Sequence, residues 1–552
     1  MTTNEQMEFE VPGPGIWPLD TQHFPTPISR FMGEFWTDAM ETSINSTMAR
    51  YGQMTNVTTA LINGFFYRRG REVGSHPESS EQLTLDNPVV AERVQRAQAV
   101  IREKLWDMNL ERWDNEVKPD SIARNVRLGS VDIDALDHDA MVDYLYECRE
   151  NHREMVRRHH MFSGIAEITT SLFFLDATRW SGLKVEQLVL LLDGSSPIST
   201  GFSPEFESVV LAIKDDIGAL ELLHSDRDAD AKVSELQAMA GAVGDAMSKF
   251  ILMDGHRLSN SFDLHGQCLF ELPETIVDRI DEAIEIGFVV RSADAREDAE
   301  YVRTLVPEEH REAFDEVLAT ARRIARIKDE RGVYGDIWGG GVMRKALLGA
   351  GRMLVEDDLL SDPLHLIDAS WQEVQKLLRG VPIVTDTELA ERCRKRLALT
   401  WRDAPATLGD PVDMPAMPDN LPAEVQRMID AQSTMVDSVE SDQNESEDLD
   451  GMTSSPGTYE GRARVATGDY SFNQVEPGDV LVTSNHSEAY NAVAGRVGAI
   501  VTDTGGILSH LSIVARELGI PCIVACKNAT VLIPDGAMVR VDGETGKVTV
   551  LD

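Results

Sequence analysis

Thr504-Gly505-Gly506-Ile507-Leu508-Ser509-His510-Leu511-Ser512-Ile513-Val514-Ala515-Arg516-Glu517 follows a short apolar run, Ala499-Ile500-Val501-Thr502-Asp503, and leads into Leu518-Gly519-Ile520-Pro521. The first run reads as a buried strand, and Leu511, Ile513, Val514 and Leu518 repeat as an amphipathic helix. The two glycines are therefore a strand-to-helix turn, and His510 falls in the first turn of the helix. Glycine lets a backbone turn tightly and point its N–H groups outward, while a helix start adds unpaired donors and positive potential, so this place suits an anion. An imidazole held there can attack a phosphorus centre near neutral pH, with the resulting phosphoryl group cradled by the same donors. His510 is expected to be a covalent carrier of phosphate; the alternative is a histidine that only caps a helix or lines a groove.

Around this stretch the residues alternate in short strands. Arg462–Ala466, Val480–Thr483, Ala499–Thr502, Cys522–Ala525, Ala537–Val541 and Val548–Leu551 are apolar or alternating runs divided by Gly, Pro and Asp turns. Residues 451–552 are thus expected to form a compact α/β domain. Residues 403–450 begin Pro-rich (PATLGDPVDMPAMPDNLP) and end with six acids and no base between Glu440 and Asp450, a composition expected of a flexible, self-repelling linker. Residues 37–402 carry a helical period, as in Val90, Val94, Ala97, Ile101 and Leu105 after the start signal Asp86-Asn87-Pro88, again in Phe206, Val209, Ile213, Ile217 and Leu220, and in Phe314, Val317, Ala321 and Ile324. Gly and Pro breaks are expected at DGSSPISTG (193–201) and GDIWGGG (335–341). Residues 1–36 read as an irregular arm rich in Pro and aromatics. The fold class expected is multidomain: a mostly α-helical N-terminal domain followed by a compact α/β domain.

At 552 residues the chain exceeds one ordinary core. A net charge of −41 disfavours an unassisted grip on nucleic acid or an anionic bilayer. Cys148, Cys268, Cys393, Cys522 and Cys526 are too few and scattered for a disulfide framework, no apolar run reaches the length of a membrane span, and the N-terminus lacks signal-peptide character. A cytoplasmic protein without nucleic-acid or membrane partners is expected.

The run TGGILSHLSIVARELGIP resembles the phosphohistidine signature of the swivelling domain shared by phosphoenolpyruvate synthase, pyruvate phosphate dikinase and rifampicin phosphotransferase. Its flanks agree: Ser455-Pro456-Gly457, Glu460-Gly461, Pro477-Gly478-Asp479-Val480-Leu481-Val482, and Val541-Asp542-Gly543 with Gly546. The resemblance implies that His510 is phosphorylated, with Gly505, Gly506, Ser509 and Arg516 binding the phosphate. Leu508 stands where the plant dikinases carry a regulatory threonine, so regulation at that position is not expected. No Gly-rich Lys-Ser/Thr phosphate loop is present; Gly543-Glu544-Thr545-Gly546-Lys547 lies between two strands and reads as a hairpin turn. Neither the ATP-grasp half nor the pyruvate-handling barrel of the full-length relatives is recognised.

What precedes the linker is similar to the helical acceptor domain of rifampicin phosphotransferase, through Trp17-Pro18-Leu19-Asp20 with His23-Phe24-Pro25, Gly255-His256-Arg257 with Asp263-Leu264, and the Arg-rich helices around Arg331, Arg344 and Arg352. The domain order is similar to the larger subunit of phenylphosphate synthase and related cresol-phosphorylating enzymes. That resemblance implies an ATP-dependent phosphotransferase of the dikinase type whose ATP and Mg are bound mainly by a separate ATP-grasp subunit, with none held tightly by this chain, and whose acceptor is a small aromatic alcohol; the alternatives are an antibiotic or other alcohol as acceptor, or a non-catalytic phosphohistidine carrier or regulator. His256 is the expected general base and Arg257 the expected neutraliser of phosphoryl charge; a helix end with a salt-bridged Arg is the alternative. His23, Asp263 and Arg344 are expected at the acceptor. Arg157-Arg158-His159-His160 reads as a surface run, since adjacent helical residues do not share a face. Cys522 and Cys526 lack a second pair, so no zinc site is expected. Met161, Phe162, Phe173 and Phe174 read as helical core.

Overall fold

The computed structural model describes residues 7–551 except 22, 25, 75–82, 197, 199–201, 260, 288–293, 413–414, 441–448, 467–473 and 485–489. One helix, His138–Ser181, organises the N-terminal part. Asp137 caps it through the Ala140 N–H, and Gly182 closes it in the left-handed conformation at φ 74°. It is buried on most sides, Phe162, Phe173 and Phe174 among its core residues, because helices Trp36–Tyr51, Arg311–Ala325, Ile337–Glu356 and Ala423–Glu440 pack around it. Asn87 caps helix Pro88–Glu103 as its sequence indicates.

The arm expected to be irregular is built into this core. Trp17–Pro18 pairs with Thr407–Leu408, and Phe24, Ile28 and Phe31 are buried. The hairpin Thr55–Ile62/Phe65–Glu72 departs from the all-helical expectation. Its turn is Asn63-Gly64, with φ of 53° and 84°, the two positive values a two-residue hairpin loop needs.

Two further expectations are corrected. Inside the stretch expected to be a flexible linker, Ala423–Glu440 is a helix whose Val425, Met428 and Ala431 are buried with Trp113 and Phe162, and Arg427 pairs with Asp176. Its three-residue apolar spacing outweighs the flanking prolines and acids; most of the acidic run, 441–448, lies outside the described residues. Of the GDIWGGG glycines, Gly335 leaves helical geometry as expected of a break, whereas Gly339, Gly340 and Gly341 lie within helix Ile337–Glu356. A Cβ on Gly341 would lie 1.6 Å from the His256 carbonyl oxygen, and one on Gly339 would press on Met155, so absent side chains permit close packing there.

The C-terminal part forms a seven-stranded sheet in the order Lys547–Leu551, Met538–Asp542, Thr458–Ala466, Val480–Thr483, Ala499–Thr502, Cys522–Val524, Met452–Ser455. The central four strands are parallel and the outer pairings antiparallel. All six expected strands are present; Met452–Ser455 is an additional edge strand. Helix His510–Leu518 runs from Ser509 to Gly519 and buries Leu511, Val514 and Ala515 in the core. The strand-order geometry places its N-terminus beyond the carboxyl ends of the parallel strands, where α/β sheets present ligand sites.

Candidate functional site at the domain junction

His510 is the first residue of its helix, 4% exposed, and its neighbour across the domain junction is Asp329. The imidazole Nδ1 lies 2.9 Å from Asp329 Oδ1. Burial works to raise the Asp329 carboxyl, and the hydrogen bond and charge of His510 outweigh it, holding Asp329 below its ordinary range. An ionised Asp329 accepts from Nδ1–H, which leaves Nε2 as the nitrogen with a lone pair. Before the helix, Gly505 adopts φ 114°, the Ser509 N–H donates to the Gly506 carbonyl, and Ser509 Oγ meets Ser512 Oγ at 2.8 Å. The turn is thus held by its own hydroxyls rather than by a capping bond from Ser509.

Arg516, expected at the phosphate, is otherwise engaged. Its Nε donates to Asp193 Oδ1 at 2.9 Å and its Nη1 to the Ile507 carbonyl at 2.7 Å, so in the docked arrangement it braces the Gly-Gly turn and ties it to the helical domain. Glu517 accepts from the Gly194 N–H at 2.6 Å, and burial, with Asp193 nearby, pushes its carboxyl up to about 7. Lys328 donates to the Leu508 carbonyl. Away from the histidine, Arg496 pairs with Asp278 and Glu282, and Arg402 with Asp503.

Beside His510 lies a cavity of about 330 Å³ shared by the two domains. Leu508, Ile513 and Arg516 wall it on one side; Ser163, Thr170, Lys328, Asp329 and Arg331 wall it on the other. The cations Lys328, Arg331 and Arg516, the carboxyls of Glu167, Asp193, Asp329 and Glu517, hydroxyls and apolar groups therefore face one small volume, the composition of a site for a compact, partly apolar molecule with polar groups to orient.

The other expected residues fall elsewhere. His256 is packed against Phe270, with Gly129 and Gly341 beside it; its Nδ1 is buried without a partner, and burial lowers its pKa to about 4. Arg257 pairs with Asp254 and lies over the rings of Tyr334 and Trp338, the helix-end alternative with its ion pair. Asp263 accepts from the Ser29 N–H at 2.6 Å and pairs with His265, which pins the arm. Burial works to raise its carboxyl, and the His265 bond outweighs it. Arg344 binds Glu271 through two nitrogens and the Leu264 carbonyl through a third. Asp263 and Arg344 are thus internal braces. His23 is paired with Asp20 at 3.0 Å and lies among Phe24, Trp36 and Phe262.

His159 and His160 are not on the surface. Both are buried, because neighbouring helices cover the central helix here; their rings are 4.9 Å apart, and His160 meets Trp36 edge-on. His159 Nδ1 lies 2.9 Å from Asp336 Oδ1. Asp329, Asp193 and Asp336 carry no signal in the sequence, since nothing in their spacing announces a histidine or, for Asp193, an arginine partner some 180 to 320 residues away.

Residues 475–546 match the PEP-utilising enzyme mobile domain. The mobile domain therefore contains the whole Gly505–Glu517 turn and helix. Over more of the chain, the protein is homologous to phosphotransferases. It is 28% identical over 314 residues to the uncharacterized phosphotransferase YvkC of Bacillus subtilis (strain 168), covering 55% of this chain and 36% of that one. It is 26% identical over 342 residues to the rifampicin phosphotransferase of Bacillus cereus, covering 58% and 36%. A probable phosphoenolpyruvate synthase of Archaeoglobus fulgidus is 43% identical over 100 residues, 18% of this chain and 13% of its own. The chain thus spans about a third or less of the length of these curated relatives. The solution structure of the Enzyme I (nEIt) protein aligns at 18% identity over 37% of this chain and 65% of its own with a TM-score of 0.15, too low to bear on the fold. Among the described residues no helix is long and apolar enough to cross a membrane.

Proposed function

We propose that this chain is the acceptor and phosphohistidine component of an ATP-dependent phosphotransferase of the dikinase type. His510 takes a phosphoryl group on Nε2 from an ATP-grasp component that binds Mg-ATP in a separate polypeptide, and passes it to the hydroxyl of a small phenol. The observation that carries the reading is the seating of His510 on Asp329 at a cavity walled by both domains. A docked carrier histidine whose partner Asp329 lines a small cavity is what transfer to an acceptor needs: the reacting groups are held together. Asp329 keeps the proton on Nδ1, so the phosphorylated ring is an imidazolium and departs as neutral imidazole. A phenol suits the partly apolar walls and, with a pKa near that of tyrosine at about 10, is a far better nucleophile than an alkyl alcohol. The homology to phosphotransferases supports the reaction class.

The test uses ATP labelled at the β-phosphate, the full chain, an ATP-grasp partner and a panel of phenols. Acid-labile label on the chain, absent in His510→Ala and passed to phenol or p-cresol, is the expected outcome. Label that stays on His510 whatever phenol is offered would reduce the chain to a carrier, and absence of label with a competent partner would remove the phosphohistidine assignment.

A further inference from the structure

We propose that His159, held by Asp336, is the general base that takes the proton from the acceptor hydroxyl at the cavity beside His510. This rests on the phosphotransfer reading above and assigns it a second catalytic histidine. The central helix supplies the first argument. His159, Ser163, Ala166 and Thr170 follow at spacings of four, three and four, one face of a helix, and the last three line the cavity. His159 is thus one helical turn beyond Ser163 on the face whose next residues line the cavity.

Arg331 supplies the second. It lines the same cavity, and its Nη1 donates to the His159 carbonyl oxygen at 3.3 Å, so the guanidinium lies where the cavity meets the histidine. The third is the local backbone. Asp336 ends a π-turn, Gly332–Asp336, in which Gly335 departs from helical geometry at φ −111°, ψ −111°. Such insertions cluster at functional sites because they re-aim side chains; here the re-aimed group is a carboxyl 2.9 Å from His159 Nδ1.

The electrostatics agree with a base rather than a fixed cation. Burial, with Arg331 and His23 nearby, lowers His159 well below the ordinary imidazole range, and burial pushes Asp336 up to about 7. The ring is neutral at pH 7, and with Asp336 ionised the carboxylate accepts Nδ1–H, which leaves Nε2 able to accept. In the step, the acceptor oxygen attacks phosphorus and its proton moves to His159 Nε2. The O–P bond forms as the P–Nε2 bond of phospho-His510 breaks. The electron pair of that bond stays on His510 Nε2, and Nδ1–H stays on Asp329, so a neutral imidazole leaves. Arg331 faces the negative charge spread over the phosphoryl oxygens.

The test is single-turnover transfer from the full chain, phosphorylated at His510 by ATP with an ATP-grasp partner or chemically by phosphoramidate, to p-cresol and to p-nitrophenol, which is largely ionised near neutral pH without help. His159→Asn is expected to accept label on His510 as the unaltered chain does, yet to slow transfer to p-cresol by about 100-fold or more. With p-nitrophenol the defect should shrink below about tenfold, a change that loss of packing would not produce. Asp336→Asn, which keeps the shape, should slow p-cresol transfer in the same substrate-dependent way. Equal transfer by His159→Asn and the unaltered chain, or equal defects with both phenols, would overturn the assignment. Failure of the unaltered chain to pass label to any phenol would instead overturn the phosphotransfer reading, and this assignment with it.

Discussion

Arg516 of the mobile domain and Asp193 of the helical domain, 323 residues apart, meet at 2.9 Å with the arginine side chain 2% exposed. Removing one member of so buried a pair leaves a charge without compensation, at a cost on the order of 3–5 kcal/mol. Arg516 also holds the Ile507 carbonyl, whereas the described link of Asp193 to the mobile domain is this arginine. The two residues therefore separate docking from the shape of the Gly-Gly turn. Asp193→Ala is expected to weaken docking while the turn persists, raising amide exchange across Gly194 and the other junction residues at least tenfold. Arg516→Ala should raise it there and in residues 505–509 as well. A double variant no worse than Arg516→Ala would confirm that Asp193 acts through the arginine.

Glu517 ties docking to pH. Its carboxyl is raised from the ordinary 4.5 to about 7 by burial at the junction. Between those values the docked chain holds a proton that the undocked chain has released, so stability of the docked state is greatest below about pH 4.5 for this group, falls as pH rises to about 7, and is flat beyond. The span corresponds to about 3 kcal/mol at most. The opening equilibrium at Gly194, taken as its exchange rate divided by the intrinsic base-catalysed rate at each pH, should increase from pH 5 to pH 8 in the unaltered chain. In Glu517→Gln, which cannot ionise, that increase should be absent.

In the proposed phosphohistidine chemistry Asp329 supports the His510 ring through Nδ1. Asp329→Asn keeps the size but cannot stabilise an imidazolium at His510 Nδ1 as a carboxylate does. Phosphotransfer from His510 is expected to fall about 100-fold, and the pH optimum to move to the acid side, where the ring is protonated without help. A rate and profile identical to the unaltered chain would show the pair to be only a docking contact.

Gly341→Ala would set a methyl 1.6 Å from the His256 carbonyl oxygen. A backbone atom cannot step aside as a side-chain tip does, so the helical part should lose about 3 kcal/mol, read as a lower urea midpoint. The same substitution at Gly182, where a Cβ meets nothing within 4 Å but φ is 74°, should cost less, through backbone strain alone.

Met428→Ala addresses the helix that replaces the expected linker. Met428 is 3% exposed among Trp113, Phe162 and Ile165, and truncating a buried methionine costs about 2–5 kcal/mol. Release of Ala423–Glu440 should appear as new protease sensitivity in that segment while the sheet of the mobile domain stays protected.

The turn-and-helix at Gly505–Leu518 and the strands around it were legible because each is decided within a few residues: glycines permit the turn, period-two and period-3.6 patterns separate strand from helix, and Ser509 to Gly519 mark the ends. The same local logic fixed the long helices, and Asn63-Gly64 carries an equally local hairpin signal. His510 could thus be singled out as a candidate from its own neighbourhood. Asp329, Asp193, His159 and Asp336 could not, because their roles depend on partners brought together only by packing of the central helix and docking of the mobile domain. Burial reversed local impressions in the same way. The histidines of the Arg-Arg-His-His run look solvent-facing until helices close around them, Gly339 to Gly341 look like a break until close packing needs their space, and Arg344, expected at the acceptor, proves to be tied to Glu271. Short-range sterics and periodicity are written in the chain; desolvation and long-range charge pairing exist only once the chain is folded.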